Sequence, residues 1–328
     1  MTAVRVAGTM LRLRVASLLV PFFLLAPAMH GTLAAFRWQY VTGVVALFAS
    51  YIVATCLNDV FDVEIDRVNH PASPDRPLVT GVVTRRQMLA LSAALALIAL
   101  AAAAATGPHA PLVLTASLLL NVAYSAPPLR LTSRPLAAPA VLGIAYVALP
   151  YAFGLAAGMT PPDGADFRLV AAFVVLFAGR MLLKDFRDRR GDALFGKRTF
   201  LLTYGKRATV FAVLGCIAAG DAMLTTVLLN SPVLLVAAQT YFAAIVFQVF
   251  RLARAAGFDD ERIAIALGAR MANALVLSLL GYLAMAATGA SAMQRNVFVL
   301  AMAAIFWLTF VVLSRREAPV AAATATSA

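Results

Sequence analysis

The sequence predicts an all-α, polytopic membrane bundle of nine to ten transmembrane helices in one domain, residues 1–328. Three observations carry this. Apolar residues make up 62% of the chain and charged residues 13%, with a mean hydropathy of +0.87; a water-soluble domain cannot bury that much apolar surface. Apolar segments recur at 15–36, 41–57, 87–106, 110–125, 136–158, 167–183, 208–229, 231–250, 271–289 and 296–313, mostly near the length a bilayer crossing needs. Finally, Lys and Arg gather between alternate segments.

Residues 1–14 are short and basic, with Arg5, Arg12 and Arg14. No small-residue cleavage site followed by a soluble domain appears, so they read as a tail leading into a retained first helix. Ala-rich, Gly-containing spans such as Ala90 to Gly107 suit close helix packing. With the N-terminus inside and the spans alternating, 23 Lys and Arg occupy inner segments and three (Arg37, Arg168 and Arg295) outer ones; Arg180 lies within a span. The positive-inside rule then places the N-terminus and a cavity fed by the inner loops in the cytoplasm of a cell with this protein in its inner membrane. The net charge of +12 sets topology and meets anionic membrane lipid; it does not predict nucleic-acid binding. Cys56 and Cys216 fall in apolar runs and read as small core residues, and His30, His70 and His109 lack ligand spacing.

Between the second and third spans, residues Val68 to Thr84 carry Pro71, Pro74, Pro77 and Gly81 and cannot form one regular helix. A second polar loop, Phe195 to Lys206, can join it as a cap over the cavity. The loop Arg254 to Arg270 holds Asp259, Asp260 and Glu261 with mixed charge and reads as solvated. Asp221 is buried by hydropathy and has no assigned role.

The chemistry is concentrated in LNDVFDVEIDRVNHPASPDRPLVTG, Leu57 to Gly81. Asp59, Asp62 and Asp66 stand at i, i+3 and i+7 and share one face of a helix, whereas Glu64 points elsewhere. Three like charges on one face repel, more so where water is scarce, and a cation removes that cost. Asn58 adds a neutral oxygen. Oxygen-only ligands favour a hard cation such as Mg2+, which binds substrate phosphates. Asp185, Asp188 and Asp192 repeat the spacing after the apolar run Phe167 to Leu183. Arg67 and Arg76 accompany the first triad, and Lys184, Arg187, Arg189 and Arg190 the second. Two such triads suggest metal-binding walls facing one cavity, and added cations suit a diphosphate.

These stretches resemble the NDxxDxxxD signature and the second aspartate-rich motif of the UbiA family of intramembrane prenyltransferases. Tyr124-Ser-Ala-Pro-Pro-Leu-Arg-Leu131 is similar to that family's YSxPPxRxK element, with Thr132 where Lys is common. The family usually has nine helices, so either Val297 to Leu313 is a tenth or residues 231–289 are segmented differently. The resemblance implies Mg2+-dependent transfer of a prenyl group from an allylic isoprenoid diphosphate donor to a small-molecule or lipid acceptor. It implies metal ligation by Asn58, Asp59, Asp62, Asp66, Asp185, Asp188 and Asp192, with Asp62, Asp66, Asp188 and Asp192 catalytic. Arg76, Arg130 and Lys184 would hold the diphosphate, with Tyr124 in the substrate cavity. Arg180 is costly inside a helix and lies five residues before Asp185, where a diphosphate or carboxylate partner would offset that cost. Tyr51 and Asn121 are further cavity candidates.

The acceptor expected is aromatic or a quinone precursor. A glyceryl phosphate-type lipid, internal quenching as in a terpene cyclase, and transfer from a ribosyl diphosphate to a polyprenyl phosphate are alternatives on the same walls. A cation transporter is the alternative of a different class; its carboxylates should lie near the midplane.

Overall fold

A computed structural model describes residues 3–325 apart from Ala72, without the side chains of Arg14 and of residues 315–325. Arg14, Arg315 and Arg316, counted above as inner charges, lie outside the described side chains. The described residues form helices and turns, with no strand.

The order is α1 (Ala3–Leu11), α2 (Leu19–Met29), α3 (Trp38–Phe61), α4 (Val63–Asn69), α5 (Arg85–Thr106), α6 (Ala110–Ser125), α7 (Ala137–Gly158), α8 (Gly164–Leu182), α9 (Asp185–Leu194), α10 (Phe200–Leu228), α11 (Pro232–Arg254), α12 (Phe258–Ala287) and α13 (Ala292–Ala325). Each of the ten apolar segments falls on a helix. Among the described residues seven helices are long and apolar enough to cross a membrane: α3, α5, α7, α10, α11, α12 and residues Ala292–Ser314 of α13; α2 and α6 are shorter apolar helices. The chain is an integral membrane protein.

Local chemistry sets several boundaries. Thr84 and Gln87 form a reciprocal capping box at α5, and Asp163 and Asp166 do so at α8. Pro150 cannot donate to the helical ladder, and α7 loosens into a π-turn at Ile144–Ala148 one turn before it. Tyr146, in that turn, stacks on Phe177 at 5.1 Å between centroids and meets Tyr51 edge-on at 6.3 Å.

Amphipathic α1 lays Val6 and Met10 on Ile52, Cys56 and Val60 of α3 and on Met88 of α5. Asp166 is buried, accepting from His30 Nε2 (3.0 Å) and from the Tyr151 hydroxyl; it pins α2, α7 and α8 together at the end away from the carboxylate motifs. Asp221 accepts from Gln239 Nε2 at 2.7 Å, which ties α10 to α11. The last helix packs on α11 and α12, with Trp307 Nε1 donating to Thr240 Oγ1 at 3.1 Å.

Glycines let helices approach closely. A Cβ on Gly179 of α8 would sit 2.7 Å from Cys216 Cβ on α10, so Cys216 is a packing residue, as the sequence suggests. A Cβ on Gly154 of α7 would collide with the Phe23 carbonyl oxygen of α2, backbone that cannot turn aside. Gly154→Ala is therefore expected to lower stability by about 1–3 kcal/mol, read as an earlier thermal unfolding midpoint in detergent.

The expected loop Arg254 to Arg270 is a correction. From Phe258 it is helical, and Glu261 is 5% exposed rather than solvated. Lys206 donates to Glu261 Oε1 (2.9 Å) and Arg189 to Oε2 (3.4 Å), and these partners offset the cost of burying it.

Candidate active site

The first carboxylate triad straddles a helix break. The spacing predicts one continuous helix, but α3 stops at Phe61 and Asp62 takes φ −109° and ψ 14° before α4 begins. Hydrogen bonds of helical register survive the break: Asp62 N donates to Asn58 O (2.9 Å) and Asp66 N to Asp62 O (2.8 Å). Asp59, Asp62 and Asp66 consequently stay on one side and are 2%, 4% and 6% exposed. Glu64 points to solvent and pairs with Arg67 at 2.8 Å.

Buried carboxylates need partners, and distant segments supply them. Arg12, following α1, donates to Asp59 at 2.9 Å. Arg76, from the proline-rich loop, contacts Asp59 and lies 2.7 Å from Asp66 Oδ2. Asp62 accepts from Asn58 Nδ2 (2.9 Å), Arg130 Nη2 (2.9 Å) and Lys197 Nζ (3.1 Å). Arg130 has φ 37°, a left-handed conformation costly for a side-chain-bearing residue, beside the carboxylate it grips.

The second triad also lies beyond its apolar helix, not on it. α8 ends at Leu182, and Asp185 opens the separate short helix α9. Asn69, the last residue of α4, locks the two short helices together. Its Nδ2 donates to the Asp188 carbonyl (3.0 Å), and its Oδ1 accepts from Gly191 N (2.7 Å). A Cβ on Gly191 would come within 2.7 Å of the Asn69 side chain, so this approach requires glycine. His70 Nε2 stands 3.5 Å from Asp188. Lys197, three residues past α9, lies 3.6 Å from Asp192 as well as against Asp62, and so joins the two walls.

These contacts divide the carboxylates into two classes. Burial raises the pKa of Asp62, but Lys197 and Arg130 outweigh it and hold the group below the usual range. Burial likewise opposes the charged form of Asp188, and the His70 hydrogen bond with Lys184 and Arg187 overcomes it. Asp66 and Asp185 are pushed up to about 6, chiefly by burial, against the opposing charges of Arg76 and Lys184 respectively. Two buried oxygens, Asp66 Oδ2 and Asp192 Oδ1, one on each wall, accept no hydrogen bond from the described residues and have only the Arg76 and Lys197 charges beside them, at 2.7 and 3.6 Å. Hard oxygen donors with lone pairs to spare fit a divalent cation.

A cavity of about 1580 Å³ opens beside the walls. Asn58, Arg12, Arg76 and Lys184 line its motif end; Tyr51, Tyr146, Phe173 and Phe177 line it further in. Tyr124, Asn121 and Arg180 line it as well. Arg180 donates to Asn273 Oδ1 at 2.8 Å and lies over the Phe177 ring at 5.8 Å. Asp185, Asp188 and Asp192 instead line a separate hollow of about 30 Å³, which Tyr124, Lys184 and Lys197 share. The expectation of two walls facing one open cavity is thus modified: Lys197 closes the gap between them, and Tyr124 and Lys184 border both spaces. Arg76 and Arg130, read from sequence as diphosphate holders, are seated on carboxylates.

Sequence reasoning passed over Arg12, Asn69, His70 and Lys197. Arg12 read as tail charge and Lys197 as loop charge. The signal available for Lys197 was its place, five residues after Asp192 in a polar loop.

Against known proteins, the model of the UbiA prenyltransferase family matches residues 18–264. Digeranylgeranylglyceryl phosphate synthase of Methanoregula boonei is 33% identical over 183 residues, 54% of this chain and 63% of that protein. The chloroplastic 2-acylphloroglucinol 4-prenyltransferase of Humulus lupulus is 28% identical over 181 residues, 52% of this chain and 42% of that protein. The chain spans about half the length of the curated relatives it matches. Among solved structures, a digeranylgeranylglyceryl phosphate synthase superposes with a TM-score of 0.65 at 16% identity, covering 86% of this chain and 98% of that one. A UbiA homolog from Archaeoglobus fulgidus bound to GPP and Mg2+ gives 0.59 at 17% identity, covering 91% and 99%. These structures share the helical fold, and with the family match extending over most of its length this chain belongs to the UbiA prenyltransferase family.

Proposed function

We propose that the protein is a single-domain transferase that moves a prenyl group from an allylic isoprenoid diphosphate to an aromatic or quinone-precursor acceptor, with Mg2+. The observation that carries this reading is two carboxylate clusters, interleaved with cations and bridged by Lys197, beside one end of a large, mostly apolar cavity. The Archaeoglobus homolog, bound to GPP or DMAPP with Mg2+, supports the donor and the ion. The one-sided Lys and Arg pattern supports a cytoplasm-facing site in the inner membrane.

Asn58, Asp59, Asp62, Asp66, Asp185, Asp188 and Asp192 would hold Mg2+, which when bound neutralises the diphosphate and stabilises charge on it as the C–O bond breaks. Lys184 at the border of the two spaces, with Arg76 and Arg130, would take diphosphate oxygens, and the bonding electron pair leaves with the diphosphate. The acceptor atom bonds the allylic carbon, and a carboxylate among Asp62, Asp66, Asp188 and Asp192 receives the acceptor's proton. Tyr51, Tyr146 and Phe177 present aromatic faces to the developing allylic cation, and the apolar lining keeps water from it. A glyceryl phosphate-type lipid acceptor is the second reading, favoured by the Methanoregula relative. The transporter reading is disfavoured because the carboxylates lie at and beyond the ends of the apolar helices α3 and α8, largely in the short helices α4 and α9, and not midway along an apolar span.

The test is incubation of purified protein with Mg2+, labelled farnesyl or geranylgeranyl diphosphate and a panel of acceptors, with products identified by mass. A prenylated aromatic is expected. Product from the glyceryl phosphate alone shifts the assignment to the second reading, and a cyclised hydrocarbon without acceptor, or a ribosylated lipid from a ribosyl diphosphate, overturns prenyl transfer.

Asn69 supplies a further test of the walls. Asn69→Ala removes both bonds between α4 and α9 and should lower turnover about 10- to 100-fold, the usual scale for residues that orient metal ligands. The drop should be larger at limiting than at saturating Mg2+; equal loss at both would show that Asn69 does not orient the ligands.

A further inference from the structure

The cavity carries a second polar cluster, on the wall formed by the C-terminal half of the chain. α11 contributes Gln248, α12 contributes Arg270 and Asn273, and α8 contributes Arg180. Arg270 and Asn273 are three residues apart, so they share the cavity-lining face of α12 with Ala266, Ala269 and Val276. Gln248 is 1% exposed and backs onto Gly268. Its Oε1 accepts from Arg251 Nη1 at 3.3 Å, which commits the other end of the amide to donation. That donor, Gln248 Nε2, is buried with no acceptor among the described residues, and so is Arg270 Nη1. Buried donors left in this way cost about 1–3 kcal/mol each, a cost that a ligand's oxygen would relieve. Asn273 Oδ1 is taken by Arg180, leaving its amide nitrogen as a donor.

The cluster is cationic. The carboxylates lining the same wall are engaged elsewhere: Glu261 by Lys206 and Arg189, and Asp259 by Arg262 at 3.5 Å. On α12, nine residues, or about 14 Å of helix, separate Glu261 from Arg270. The surrounding lining, including Phe242, Ile245 and Val249, is apolar. Donors and positive charge set in an apolar wall fit an anionic oxygen group on an otherwise apolar molecule.

We propose that Gln248, Arg270 and Asn273, with Arg180, form a subsite for the oxyanion head of the acceptor (a carboxylate, phosphate or ionised phenol), distinct from the diphosphate site at the carboxylate walls. This deepens the prenyl-transfer reading and rests on it.

Thermal unfolding of the purified protein in detergent reads the two sites separately. Mg2+ with geranylgeranyl diphosphate probes the walls. Dodecyl phosphate, added with that donor already present, probes the second subsite, and dodecanol is its neutral control. Dodecyl phosphate should raise the wild-type midpoint further and dodecanol should not. Gln248→Leu and Arg270→Gln should each weaken the dodecyl phosphate response about tenfold or more in concentration, the effect of one hydrogen bond to a charged group. Both should keep the response to Mg2+ and donor, which also verifies folding; should one variant not fold, the other carries the comparison. Equal responses to dodecyl phosphate in the wild type and the folded variants, or equal responses to dodecyl phosphate and dodecanol, overturn the subsite. Displacement of the probe by a phenolic acid or geranylgeranylglyceryl phosphate, but not by phosphatidylglycerol, supports the acceptor assignment. Displacement by phosphatidylglycerol assigns the site to a lipid headgroup and overturns it. A wild type that responds to dodecyl phosphate but not to Mg2+ and donor counts against the prenyl-transfer reading and removes the acceptor assignment with it.

Discussion

Asp62→Ala is expected to lower turnover by at least about a hundredfold, the scale of losing one charge-stabilising group. Asp62 is the joint of the site: it alone accepts from Asn58, Arg130 and Lys197 together. Its removal leaves Lys197, whose pKa the Asp62 and Asp192 charges raise against burial, with Asp192 as its remaining ion-pair partner among the described residues. Breaking a buried pair from one side costs about 3–5 kcal/mol, so rates should be compared well below the unfolding midpoint of the variant. Asp188→Ala, on the other wall, should be of similar severity. Glu64→Ala is the control within the same motif, because Glu64 is solvent-facing and bonded only to Arg67. Initial rates per folded protein check all three, and equal losses at Glu64 and Asp62 would show that burial against the cation network does not select the working carboxylates.

Chelation should have the other large effect. Excess EDTA is expected to reduce turnover to background, and Mg2+ in excess of the chelator to restore it. The motifs offer oxygen ligands, with one buried carboxylate oxygen on each wall that is ion-paired but accepts no hydrogen bond from the described residues, and such sites hold hard divalent ions. The chain's own cations hold Asp62 and Asp188 charged more effectively than Asp66 and Asp185, whose charged forms burial disfavours. A divalent ion supplies what those two lack. Full turnover in EDTA would refute metal holding by the two walls.

The apolar spans and the six aspartates were legible because each leaves a local signature: a run of hydropathy, or a repeated i, i+3, i+7 spacing. Helix placement followed from the first and the separation of Glu64 from its neighbours from the second. The break at Asp62 and the restart at Asp185 were not legible, since neither Asp62 nor Leu183-Lys184 carries Pro or Gly. They arise where the chain leaves its apolar helix and the short helices α4 and α9 dock on each other through Asn69. Glu261 was misread for a related reason: nothing adjacent in sequence reveals that Lys206 and Arg189 converge on it. Tyr146 entered the aromatic lining through the π-turn preceding Pro150, a local signal that was present and passed over.

The wiring of Asp62 also constrains the order in which the protein is made. Its partners lie 68 and 135 residues later in the chain, at Arg130 and Lys197. During synthesis from the N-terminus, α3 and α4 are complete long before α9 and the segment after it emerge. Until Arg130 emerges, Asp59, Asp62 and Asp66 face two paired cations, Arg12 and Arg76, and this excess negative charge favours keeping the motif at the watery face of the membrane. The late arrival of Lys197 brings both halves under one charge balance, so catalytic competence should appear only with docking of the α8–α9 segment, as the final cooperative step and not by increments.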